Sequence, residues 1–412
     1  MQRQILKNLL IISYYWPPCG GPGSLRAVKF AKYLPHYGIE PIILTRKNIA
    51  YHSIDPELGS GLKNLKVYRT ESFDPARILY ILGMRRYRPK GWQVPIKKTL
   101  NFPDNKVGWI PFAYNRALKI DFDYIFVTAP PFSSFIAGYL LSRKIDKPLI
   151  LDFRDAWLEF PFIGYENKIQ RRFVVYWEEK VVNCASLIIT VSENIKEDLL
   201  GRYPLIKNRV FAIPNGYDPD DFSSVSKSAK FTIAYLGTIR KERNPENVLK
   251  AVEEFIKENQ LSEDDLEMKF IGHIDTEYLK MLGKYPFIRT LGHLPHLLAI
   301  REFCSAHIAV MITTGEEFFF PSRQIEYLAS GLPIICCGSS SGIEILKNGF
   351  RLGYPGWIYE YNDVAGMKER ITELFLKYKN KNLPIGKNPF SEYTRKNLTE
   401  KLVKLIKEFI PH

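Results

Sequence analysis

The sequence predicts a doubly wound α/β protein in two halves. Three observations carry that expectation. Short apolar runs of strand length alternate with helical stretches, the alternation stops across a polar, turn-rich segment at 213–230, and it then begins again. Short apolar strands separated by helices, not by tight hairpins, imply parallel sheets covered on both faces.

In the first half the strand-like runs are Leu9–Ser13, Pro41–Thr45, Leu65–Tyr68, Tyr124–Thr128, Leu149–Phe153, Leu187–Val191 and Val210–Ile213. Between the first two, Ser24 can cap a helix whose Leu25, Val28, Ala31 and Leu34 share one face, and Tyr37-Gly38 ends it. The stretch IPNGYDPDDFSSVSKSAK has almost no apolar periodicity and reads as a linker. Beyond it the strand signals are Phe231–Leu236, Met268–Ile271, Ile288–Leu291, Ile308–Met311, Pro333–Cys336 and Gly356–Tyr359, and TRKNLTEKLVKLIKEFI is an amphipathic helix. The expected division is therefore a Rossmann-like domain at 1–215, a linker at 216–230, and a second Rossmann-like domain at 231–390. A C-terminal helix at 391–412 returns to the first domain. Two such halves imply a cleft, with ligands at the carboxyl ends of the strands.

Composition excludes several classes. The 412 residues are 46% hydrophobic and 25% charged, as in an ordinary globular protein with room for two or three cores. The five cysteines form no C-x-x-C pair, so neither a zinc site nor a disulfide framework is expected, and a reducing compartment fits. No apolar run approaches the roughly 18 residues of a membrane span. The N-terminus imitates a signal peptide only loosely, because Tyr-Tyr-Trp-Pro-Pro stands where a cleavage site belongs. A cytoplasmic protein is expected, peripheral at the inner face of the membrane if a basic segment described next makes contact there.

The formal charge of +14 is confined to the first third, where residues 1–120 hold 20 Lys and Arg against 6 Asp and Glu, and the remainder balances. Residues 77–98, RILYILGMRRYRPKGWQVPIKK, hold seven basic residues, no acid, and Tyr80, Met84, Tyr87 and Trp92 among them. Basic residues mixed with aromatics suit an anionic membrane surface; a solvated loop is the alternative. No nucleic-acid partner is expected.

The stretch SYYWPPCGGPGSLR, residues 13–26, joins a strand to a helix through glycines. As a dinucleotide fingerprint it fails: Arg26 occupies the third glycine position, Pro22 removes a backbone donor, and the second strand ends Leu44-Thr45-Arg46 with no acid for a ribose. No Gly-Lys-Ser/Thr makes it a P-loop. Two readings stay open, a backbone loop facing an anion and a plain tight turn, and Arg26 is expected to point out of the helix that follows. In the second half, PSRQIEYLASGLPIICC places Ser322, Arg323 and Glu326 on one face of a helix expected over 322–329. A carboxylate there can accept ribose hydroxyls and the arginine can meet phosphate oxygens, or the two can be a surface ion pair. YLGTIRKERNPENVLKAV, residues 235–252, sets Arg240, Lys241 and Arg243 between a strand and a helix start, which suits a diphosphate or a solvated loop.

These pieces, in order, resemble the GT-B glycosyltransferases, in particular family 4 of the bacterial surface-polysaccharide type. The matching segments are YYWPPCGGPGSLRAVKFAKYLPHYGIEPIILT, LILDFRDAW, ITVSENIKEDL, IPNGYDPDDF, YLGTIRKERNP, LGHLPH and FPSRQIEYLASGLPII, over about residues 9–350. The resemblance implies that Arg243 meets the donor diphosphate, Glu326 the ribose, and Ser322 and Arg323 the donor phosphates. It also implies that Gly21 and Gly23 face the donor, that Gly237 and Thr238 line its site, and that His293 within LGHLPH lies near the base. Three departures stand out. Phe318 occupies the first glutamate position of the family's E-x7-E motif, with Glu316 and Glu317 nearby. Thr238 replaces a frequent arginine. Arg154-Asp155 stands where many members have His-Asp, so a histidine's role cannot be transferred.

The resemblance implies transfer of a sugar from a nucleoside diphosphate sugar, UDP-linked, to a saccharide or lipid-linked saccharide, with retention of configuration. The nucleotide sugar is a co-substrate and no other cofactor is expected. Arg243 and Arg323 can stabilise the leaving phosphate without metal, and DPDD at 218–221 reads as a turn, not a metal site. Asp155 is the carboxylate expected at the acceptor hydroxyl, with Arg154 and Arg243 the other catalytic candidates; a structural Arg154–Asp155 pair is the alternative. The competing functions are a sugar-nucleotide epimerase of the same fold and a nucleotide-sugar-binding protein without catalysis. Sugar release from UDP-sugars, with and without acceptor, separates them.

Overall fold

The computed structural model describes residues 7–51, 53–62, 64–85, 103–158, 168–222, 225–313, 323–338 and 342–410. The chain divides into two compact units, Met1–Pro214 with Arg395–His412, and Asn215–Thr394.

In the first unit β1 (Lys7–Ile12), β2 (Ile39–Arg46), β3 (Lys66–Thr70), β4 (Tyr124–Ala129), β5 (Leu149–Phe153), β6 (Leu187–Thr190) and β7 (Val210–Ala212) form one sheet in the order β3-β2-β1-β4-β5-β6-β7. Every pairing is parallel. Every residue of β4 and β5 is buried, which explains why they read as unbroken apolar runs. In the second unit β8 (Phe231–Leu236), β9 (Leu266–Ile271), β10 (Ile288–Gly292), β11 (Ile308–Ile312), β12 (Ile334–Cys337) and β13 (Gly356–Tyr359) pair in the order β10-β9-β8-β11-β12-β13, again all parallel. Each unit is thus Rossmann-like, with its winding reversed between β1 and β4 or between β8 and β11, the place where such sheets bind ligands.

The final helix, Arg395–Phe409, belongs to the first unit. It buries Leu398, Leu402, Val403 and Ile406; Tyr37 donates to Lys396 O at 3.3 Å, and Lys401 to Ala212 O at 2.9 Å. The DPDD segment forms a short 3-10 turn, Pro219–Phe222, whose Asp221 carboxylate lies 2.9 Å from the His296 ring.

Three local expectations are corrected. The first helix spans Pro22–Tyr33 and its N-cap is Gly21, not Ser24. Gly21 has φ 88°, a left-handed-side value that a Cβ would strain, and Pro22 takes the first helical position, where a missing N–H costs nothing. Arg26 does not occupy an outward position. It is buried 2.9 Å from the Asp152 carboxylate on β5, and it donates to Ile213 O and Pro214 O at 2.9 and 3.0 Å. The reason is charge pairing: Asp152, also held by Thr128 at 2.7 Å, compensates a cation that helical periodicity alone would send to solvent. The helix expected over 322–329 spans Gln324–Ala329, with Arg323 as its N-cap.

Candidate functional site

At the end of β8 the chain turns through Gly237 and Thr238, enters a 3-10 turn at Lys241–Arg243, and starts the helix Glu246–Glu258. Tyr235, one residue before the strand ends, is buried and donates from its hydroxyl to Thr238 O at 3.0 Å. Arg243 hydrogen-bonds to the same hydroxyl, and the charges of Arg323 and Arg240 bear on it. Burial pushes the Tyr235 hydroxyl pKa up, and these three guanidinium groups, Arg243 first, pull it back. Arginines from two separate sequence segments thus lie near enough to Tyr235 for their charges to act on its hydroxyl.

Glu326 lies in the first turn of the helix Gln324–Ala329. Tyr327 sets that helix in place. Its fully buried hydroxyl accepts the Leu236 N–H at 2.9 Å and donates to Val310 O at 2.9 Å, pinning it to the ends of β8 and β11. Gln324 holds the other side, donating to Gly342 O at 2.9 Å. Among the described residues Arg323 and Glu326 form no ion pair with each other, although they stand three apart on one helix end. Both are half-buried at the start of a helix pinned to β8 and β11, the strands that flank the winding reversal, where an anion and a pair of hydroxyls can use such groups.

A close backbone approach shapes the neighbouring strand ends. Gly237 donates to Ile271 O at 2.9 Å, and Gly272 to Gly292 O at 2.8 Å. Gly272 has φ 136°, and a Cβ there would lie 1.9 Å from Gly237 O, so only glycine fits. His293, exposed, follows Gly292 at the end of β10, on the far side of β9 from β8. The expected residues Gly237, Thr238, Arg243, Arg323 and Glu326 thus gather at one end of the second sheet; Ser322, Glu316, Glu317 and Phe318 lie outside the described residues.

The first unit gathers Gly21, Gly23, Arg154 and Asp155. Arg154, just past β5, donates to Ala129 O at 3.2 Å, to Pro22 O at 3.4 Å and to Pro130 O. Three carbonyls use its donors, so its visible part is to hold the helix start at Pro22 against the end of β4. Gly23 packs against Tyr15 and the Arg154 guanidinium. Burial raises the Asp155 carboxyl to about 6, against the opposing pull of Arg154. A carboxyl near 6 can pass a proton at neutral pH. Sequence reasoning missed Tyr235, Tyr327 and the Arg26–Asp152 pair. The signal for the last was a lone carboxylate inside the apolar strand LILDF.

Residues 27–221 match the family Glycosyltransferase Family 4, and residues 230–377 match Glycosyl transferases group 1. Among curated protein sequences nothing matches significantly. Solved structures share the fold at low identity. Anabaena Alr3699/HepE in complex with UDP and glucose is 12% identical, with a TM-score of 0.62 over 98% of this chain and 100% of that one. A glycosyltransferase from Rickettsia africae is 13% identical, with a TM-score of 0.62 over 98% and 99%. A UDP-N-acetylglucosamine 2-epimerase is 10% identical, with a TM-score of 0.57 over 98% and 96%. With both units matched by transferase families in chain order, the protein belongs to the GT-B glycosyltransferases and is of the family 4 type.

Proposed function

We propose that the enzyme moves a sugar from a UDP-linked donor to a saccharide or lipid-linked saccharide in surface polysaccharide synthesis, retaining the anomeric configuration and using no metal. The observation that carries this reading is that Arg243 and Arg323 both lie near enough to Tyr235 to act on its hydroxyl, with Glu326 three residues beyond Arg323, at the reversal point of the second sheet. Two guanidinium groups from different segments suit the two phosphates of a nucleoside diphosphate, and a carboxylate suits a ribose diol. Charge develops on the departing phosphate as the sugar–oxygen bond breaks, and fixed cations lower that barrier without needing to reorganise. Asp155, held near neutrality, receives the proton of the acceptor hydroxyl directly or passes it on. UDP in complexes of proteins with this fold supports the choice of base.

Contact with an anionic membrane is part of the same proposal. The described part of the basic segment begins in the helix Pro75–Ile81, and Ile81 and Leu82 are 65% and 69% exposed beside Arg85. Apolar side chains next to basic ones suit a headgroup interface; the rest of 86–98 lies outside the described residues.

The test is product analysis by mass spectrometry and NMR with a panel of UDP-sugars and lipid-linked acceptors, in the presence of EDTA. Transfer with the donor's anomeric configuration kept is the expected result. Interconversion of the free UDP-sugar with no transfer would instead establish an epimerase.

A further inference from the structure

Arg46, the last residue of β2, is fully buried. Its Nη1 donates to Lys47 O at 3.1 Å. Among the described residues its Nε and Nη2 make no hydrogen bond of good length and angle, the Cys19 thiol and the Tyr51 hydroxyl being looser neighbours, and no carboxylate lies within salt-bridge distance. Nε–H and Nη2–H sit on one edge of the guanidinium and point the same way, the edge that grips two oxygens of a single oxyanion. The rings of Tyr14 and Tyr51 lie 5.4 and 5.2 Å from the guanidinium carbon. A ring face attracts a cation, but less than lost hydration costs, and it takes up no in-plane N–H.

Two more cations stand near. Lys106 is buried, with its Nζ 5.3 Å from the Tyr14 ring centre and 3.6 Å from Asp74 Oδ1, so it has a counter-ion. Arg69 pairs with Thr45 across the β2–β3 ladder, is exposed, and donates to Pro17 O at 2.6 Å. Its pKa is lowered first by partial burial and then by the Arg46 charge, so the two guanidinium groups repel each other. Among the described residues neither has a carboxylate partner. The Cys19 thiol and the Tyr51 hydroxyl lie against Arg46, whose charge and loose hydrogen bonding pull both pKa values down against burial, and Cys19 bridges to Ile54, so the loop after β1 and residues 49–51 and 53–55 wall the corner. Two positive charges without counter-ions match a dianion better than a monoanionic carboxylate.

We propose that Arg46, with Arg69 at its mouth, forms a phosphoryl-binding site in the N-terminal unit, separate from the donor site of the second unit. The ligand is a phosphate monoester dianion, carried by a lipid-linked acceptor or present as free phosphate.

The experiment titrates the full chain, with UDP saturating the donor site, using inorganic phosphate in one arm and dodecyl phosphate in the other, against chloride at equal ionic strength. Binding in either arm is expected; tighter binding of dodecyl phosphate assigns the site to a lipid-borne group, and equal binding to free phosphate. Arg46→Met should weaken binding at least tenfold, and in phosphate-free buffer it should unfold at no lower temperature than the parent, because it removes an uncompensated buried charge. Arg69→Ala, at an exposed position, should weaken binding severalfold with the fold intact, and it decides the matter if Arg46→Met does not fold. No binding by the parent in either arm, or unchanged binding in Arg69→Ala, would overturn the proposal. Either result leaves the donor-site reading standing, since UDP affinity is read separately in Glu326→Ala.

Discussion

At the end of the N-terminal sheet Arg26 meets Asp152 at 2.9 Å, both buried, and Arg154 is strapped to three carbonyls. At the end of the C-terminal sheet the charges of Arg243 and Arg323 act on one tyrosine hydroxyl, and Arg323 and Glu326, three residues apart, do not pair. The same residue types thus do different work. A cation matched by a carboxylate inside the protein holds elements together; Arg323, which makes no ion pair with Glu326 beside it, is available to a ligand. Stability and binding should therefore respond in opposite ways to removal of Arg26 and to removal of Arg243 or Arg323.

The largest effect should come from Arg26→Ala. It leaves Asp152 buried and unpaired and frees the carbonyls of Ile213 and Pro214, so stability should fall by about 3–5 kcal/mol in denaturant titration. Arg243→Ala or Arg323→Ala should do the reverse: donor affinity by calorimetry falls by about 10- to 100-fold, as for charge-assisted bonds to phosphate, while unliganded stability changes by less than about 0.5 kcal/mol. If either arginine proved as costly to folding as Arg26, the contrast would break.

Tyr327→Phe sharpens it. The hydroxyl ties the Glu326 helix to β8 and β11 without touching a ligand, so its loss should cost about 1–2 kcal/mol of stability and raise the donor KM more than it lowers kcat. The smallest effect belongs to Asp155. Burial raises its pKa in the folded protein to about 6 from the ordinary 3.8, so the folded form holds its proton where the unfolded form has lost it. That contribution to stability declines as pH climbs from about 4 to about 6 and stays lost above. Asp155→Asn should therefore be more stable than the parent at pH 7, by about 1 kcal/mol once partial exposure is discounted, while transfer activity drops.

The strands were legible because buried parallel strands are unbroken apolar runs; β5 and β8 begin and end where such runs do. The polar edge strand β3 was less so, and it lies at Lys66–Thr70 instead of Leu65–Tyr68. Gly237, Arg243, Arg323 and Glu326 could be named because strand-end loops and helix starts are local in sequence. Arg26 could not be placed, since its partner Asp152 lies 126 residues away and periodicity treats an arginine as an outward residue. Tyr235 falls inside the strand run Phe231–Leu236, and nothing in FTIAYL distinguishes a ring that fills space from a hydroxyl that meets an arginine.

The claim that the second unit holds the nucleotide sugar through these side chains is tested most directly by thermal unfolding of the parent, Arg243→Ala and Glu326→Ala, with and without UDP-sugar. At a hundredfold excess over its dissociation constant the donor should stabilise the parent by about 2.7 kcal/mol. Both variants should lose most of that gain while unfolding at the parent's temperature when unliganded. A donor-induced gain of the same size in all three proteins would contradict the account.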